Sequence, residues 1–136
     1  MGLTRLGANL IAAMLIWETT KDFTSTGAVI VVGSSTAAYS ATSTFLEAAY
    51  GGGGPNRFAT MDATFPSRST GQLSFRATFG STYALMDWRE WGVYNSSASG
   101  VDGTLINRKM EEPSLGTKST SQTWQFLVTL TSCVGS

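Results

Sequence analysis

A chain of 136 residues can bury a real hydrophobic core as one domain without a disulfide or a metal to staple it. Nine basic side chains balance nine acidic ones and only 13% of residues are charged, which excludes a basic footprint for nucleic acid and a polybasic membrane signal. Histidine is absent, and with it go the commonest general base, the usual zinc ligand and the Ser-His and Cys-His nucleophile pairs, so a non-enzymatic protein without cofactor is expected.

A neutral surface rich in Ser, Thr, Gly and Ala puts little repulsion between copies, which favours an oligomer. Cys133 stands alone, so no intrachain disulfide forms, and it reads as a small core residue. No apolar run reaches the length of a membrane span. The N-terminal run is broken by Asn9 and lacks a small-residue cleavage site, so neither export nor membrane insertion is expected.

In chain order, Thr4 caps a predicted helix over 5–18, with Leu6, Leu10, Ile11, Met14, Leu15 and Trp17 at helical spacing. Gly7 weakens that helix by roughly 1 kcal/mol relative to alanine, so packing must hold it. The stripe suits a docking helix or, more commonly, one that covers a sheet face. A polar connector then leads to Ala28-Val29-Ile30-Val31-Val32-Gly33, a β-branched run that predicts a strand buried on both faces over 28–33.

Residues 34–44 are small and polar and read as loop, with a helical turn possible at Phe45 to Ala49. The run Gly51-Gly52-Gly53-Gly54-Pro55 reads as a flexible turn or a close approach by another chain. No Lys-Ser/Thr and no helix pattern follow it, which excludes the phosphate-cradling and dinucleotide-binding loops. The next predicted strand covers 57–65, with Phe58, Thr60, Asp62 and Thr64 on one face, Ala59, Met61, Ala63 and Phe65 on the other, and Pro66 ending it.

Leu73 to Met110 is the organising stretch, and it predicts consecutive hairpins. Leu73, Phe75, Ala77 and Phe79 alternate with Ser74, Arg76 and Thr78 in a strand over 72–80. Gly80-Ser81-Thr82 separates it from Trp88-Arg89-Glu90-Trp91-Gly92-Val93-Tyr94, in a strand over 87–95, and a further strand covers 104–110. The last strand, 123–134, sends Trp124, Phe126, Val128, Leu130 and Val134 one way and Thr123, Gln125, Thr129 and Thr131 the other; Leu127 breaks the pattern and implies a partly covered outer face. The sum is a mainly β fold: an antiparallel β-sandwich or sheet of about five or six strands with one N-terminal helix packed against it, in one domain over 1–136.

Candidate chemistry is sparse. Asp87 and Glu90 resemble paired carboxylates, but a separation of three on a strand puts them on opposite faces, and Arg89 beside them points to structural ion pairing. Asp62 with Asp87 or Asp102 lacks the ligand density of a calcium cage. Trp88, Trp91 and Tyr94 suit either a sugar platform or, more commonly, a core or subunit interface. Asn95-Ser96-Ser97 matches a glycosylation sequon, which means little without a secretory signal.

Six pieces in order carry a resemblance: Leu3-Thr4-Arg5-Leu6-Gly7-Ala8-Asn9-Leu10-Ile11-Ala12, Val32-Gly33-Ser34-Ser35-Thr36, Phe75-Arg76-Ala77-Thr78-Phe79, Trp88 through Asn95, Leu105-Ile106-Asn107-Arg108, and Leu115-Gly116-Thr117-Lys118 through Trp124. Together they resemble a family of small tailed-bacteriophage structural proteins and, more distantly, the N-terminal domain of tail-collar fibre proteins. That resemblance implies a non-enzymatic virion building block, made in the host cytoplasm and placed on the particle surface, with no catalytic residues to transfer.

Since the sequence carries no fibre after its last strand pattern, a capsid decoration (cement) protein is expected, as a homotrimer in contact with the major capsid protein. A tail, collar or neck component that anchors fibres is the alternative, and a carbohydrate-binding host-attachment module is a third. Contact residues are expected at Arg5 and Leu6, at Gly52, Gly53, Pro55, Asn56 and Arg57, and at Asn95 and Ser96. Trp88, Arg89, Glu90, Trp91 and Trp124 are assigned to the fold or an oligomer seam.

Overall fold

The computed structural model of the chain describes residues 2–4, 9, 27–35, 58–95 and 104–131. Within them the protein is mainly β and builds two antiparallel sheets. The strands are β1 (Gly2–Leu3), β2 (Ala28–Gly33), β3 (Phe58–Thr60), β4 (Ser67–Ser69), β5 (Gln72–Phe79), β6 (Glu90–Asn95), β7 (Thr104–Met110) and β8 (Trp124–Thr131). One sheet has the order β1-β7-β6-β2-β3 and the other β4-β5-β8.

The β-branched run makes β2, with all six residues buried. Alternation explains how both its faces are used. Ala28, Ile30 and Val32 join Trp91, Val93 and Ile106 against Phe75, Ala77, Phe79 and Val128 of the second sheet. Val29 and Val31 lie on the opposite face with Tyr94, Leu105 and the half-buried Phe58. A register shift between Val93 and Tyr94 adjusts β6 against β7.

Of four expectations, three change. The helix over 5–18 lies outside the described residues apart from Asn9, which is helical. The predicted hairpin from the Phe75 strand to the tryptophan strand does not form. Instead β5 pairs with β4 and β8, while β6 pairs with β2 and β7. Residues 80–89 therefore cross from one sheet to the other. The reason is packing: Phe75, Ala77 and Phe79 must face Trp91 and Val93 across the core, which neighbours in one sheet cannot do.

The strand expected over 57–65 ends at Thr60, followed by a single bridge between Met61 and Ala77. Asp62 turns the chain there. Phe65 N–H donates to Asp62 O at 3.1 Å, and Thr64 takes a left-handed φ of 71°. The chain then passes a cis Phe65–Pro66 bond into β4, which pairs with β5 through a tight hairpin with Gly71 at φ 69°. Fourth, the strand expected over 87–95 begins only at Glu90, because Trp88 bonds to the 111–123 loop: its N–H donates to Gly116 O, and Leu115 N–H donates to Trp88 O, both at 2.9 Å.

Candidate functional site

The aromatic residues that looked like a sugar platform are interior. Trp88 is 1% exposed; its indole N–H donates to Ala84 O at 3.0 Å, and its ring meets Phe79, Trp124 and Phe126 edge-on at centroid distances of 4.8, 4.9 and 5.7 Å. Trp91 packs on Phe126 and donates to Glu111 Oε1 at 3.0 Å. Tyr94 is buried on the opposite face of its sheet. No sugar ring can stack on Trp88 or Tyr94 in this arrangement.

The two carboxylates of the tryptophan segment separate, Asp87 lying before β6 in a single bridge to Thr117 and Glu90 opening the strand. Asp87 accepts from Arg89 Nε at 2.8 Å at the surface. Its carboxyl is held below the ordinary 3.8, first by a hydrogen bond from Ser114 and then, against partial burial, by the Arg89 guanidinium. Glu90 points into the protein, where its Oε2 meets Arg108 Nε at 2.8 Å with both side chains fully buried. Arg108 Nη2 also lies 3.0 Å from Met110 Sδ.

Lys118 is a second buried cation. Its Nζ donates to Gly80 O and its backbone N–H to Met86 O, tying the crossing segment to the loop before β8, and burial lowers its pKa. Neither Arg108 nor Lys118 stands out in the sequence.

Asp62, weighed above as a calcium ligand, is a structural hub on the outer face of the three-stranded sheet. Its Oδ2 accepts from Arg76 Nε at 2.9 Å, Thr78 Oγ1 at 3.0 Å and Gln125 Nε2 at 3.2 Å. One carboxylate thus joins the turn after β3 to β5 and β8. The Arg76 guanidinium also sits 4.4 Å from the Phe65 ring centroid, in cation–π range. An Asp at the first position of a turn was the legible cue. Among the described residues no three His, Cys, Asp or Glu side chains come together as a metal site.

Of the expected contact residues, Arg5, Leu6, Gly52, Gly53, Pro55, Asn56, Arg57 and Ser96 lie outside the described residues. Asn95 lies within them but is only 8% exposed, and its Nδ2 donates to Gly27 O at 3.2 Å, so this side chain is engaged in the fold rather than presented for contact or glycosylation. Of the residues assigned to fold or seam, Trp88, Glu90 and Trp91 are buried, while Arg89 and Trp124 are half-buried.

β8 is an edge strand of the three-stranded sheet. Its alternation is as expected, with Trp124, Phe126, Val128 and Leu130 turned to the core and Gln125, Leu127, Thr129 and Thr131 turned out. Leu127, expected under partial cover, is 57% exposed. Compared with protein-family models, with curated proteins and with solved structures, the chain matches none.

Proposed function

We propose that this chain is a non-enzymatic structural protein of a tailed-bacteriophage particle, a capsid decoration protein that stabilises the shell through contacts with copies of itself, as a homotrimer, and with the major capsid protein. Six sequence pieces in family order support the reading. The observation that carries it is where the chemistry-bearing side chains go: Trp88, Trp91, Glu90, Arg108 and Lys118 are buried in packing and ion pairing. A two-sheet body packed around one core suits a clamp, whose contacts form only in the assembled state and so stabilise the assembly by mass action. The segments around Arg5 and Leu6 and around Gly52 to Arg57 are the proposed contact regions.

Quantitative mass spectrometry of purified particles tests this. Copy number close to that of the major capsid protein is the expected result. A small fraction of that number would move the protein to the tail or neck, and absence from the particle would overturn the virion reading.

A further inference from the structure

We propose that the outer edge of β8 pairs with β8 of a second copy about a two-fold axis, extending the three-stranded sheet across two chains. The argument begins with the direction of the backbone groups. Asp62 N–H donates to Arg76 O at 2.8 Å from the side of β5 away from β8. In an antiparallel ladder the bonding direction alternates along a strand, so Leu73, Phe75, Ala77 and Phe79 are the β5 residues that bond β8. Their partners are Leu130, Val128, Phe126 and Trp124. The other residues of β8, Gln125, Leu127, Thr129 and Thr131, therefore turn N–H and C=O toward the open edge, where no described strand pairs with them.

Edge strands attract other strands, and proteins blunt them by shortness, charge or proline. The other three sheet edges are blunted in this way. β1 has two residues and β3 three; β4 has three and carries Arg68. β8 has eight residues, Trp-Gln-Phe-Leu-Val-Thr-Leu-Thr, with no charge, proline or glycine. Among the described edge strands it alone lacks a deterrent.

The occupant is a second copy because β8 is complementary to itself. Antiparallel pairing centred on Leu127 sets Leu127 against its twin and Gln125 against Thr129, with about six new backbone hydrogen bonds from the outward groups of these residues. On the inner face it sets Trp124 beside Leu130 and Phe126 beside Val128, covering three side chains that the single chain leaves only partly buried. A strand without charge and a chain with none net put no repulsion across the axis. The contact does not depend on the virion reading, and a threefold seam elsewhere leaves β8 free to join two trimers.

Light scattering coupled to size-exclusion chromatography on the full chain tests it, with Thr129→Pro and Leu127→Lys. Proline at 129 removes an outward N–H and leaves the ladder to β5 intact; lysine at 127 places like charges on the axis. Both variants are expected to halve the mass of the wild-type assembly, and the amides of Gln125 and Leu127 in Thr129→Pro, and of Gln125, residue 127 and Thr129 in Leu127→Lys, are expected to lose hydrogen-exchange protection. A wild-type monomer at high concentration, whether its β8 amides exchange freely or are covered by the chain's own segment, overturns the proposal. So does an assembly whose mass neither substitution changes.

Discussion

Glu90 fills the space that a side chain on Gly33 would need. A β-carbon built on Gly33 meets Glu90 Oε1 at 2.4 Å and Cγ at 2.9 Å, and the two residues are direct partners between β2 and β6. The glycine thus lets the carboxylate lie flat across β2 on its way to Arg108. Gly33→Ala is expected to destabilise by about 1–3 kcal/mol through overpacking, read as a lower urea midpoint. In a Glu90→Ala background, itself destabilised because the buried Arg108 loses its counter-ion, Gly33→Ala should add little further loss, because the clash disappears with the side chain.

The Glu90–Arg108 pair itself has an asymmetric energetics. Removing one partner leaves a buried charge without its counter-ion, so Arg108→Met alone is expected to cost about 3–5 kcal/mol. The double variant Glu90→Leu with Arg108→Met should be far closer to wild type than the sum of the single changes. A double-mutant cycle by urea denaturation checks this, and additive losses would show that the two side chains act independently.

Thr64 holds a φ of 71° in the turn that begins at Asp62. For a residue with a β-carbon this conformation costs roughly 1–2 kcal/mol, partly offset in glycine by its greater freedom in the unfolded chain. Thr64→Gly is therefore expected to stabilise by up to about 1 kcal/mol, and thermal unfolding would register it as a raised midpoint.

Acid should loosen the contacts around the loop before β8. Burial pushes the Glu111 carboxyl up, but hydrogen bonds from Trp91 and Lys109 outweigh it and hold it below its ordinary 4.5; Asp87 is held below 3.8. Lowered carboxyl values mean that the unfolded chain takes up protons more readily, so this stability is present above the unfolded values and is lost as pH falls through the folded ones. Urea midpoints measured from about pH 6 down to pH 3 should fall, and Glu111→Gln should flatten the slope. Lys118 works on the alkaline side. Its lowered value means that a charge is held in an unfavourable place until pH rises through the folded value, so its contribution improves toward 10.5.

Local pattern determined much of the fold. Alternation along 72–79 and 124–131 and the β-branched run at 28–33 marked strands and their buried faces correctly, because burial of one face acts on each residue through its immediate neighbours. What only the tertiary structure decided was partnership. Phe79 and Trp91 are close in the chain yet belong to opposite sheets, since the core is filled by facing layers rather than by neighbours in one sheet. Periodicity carries no information on that choice. The same holds for Arg108, whose counter-ion is 18 positions away, and for β8, whose sequence marks it as a strand but not as an edge. An edge is defined by the strand that is not beside it, which no single segment encodes.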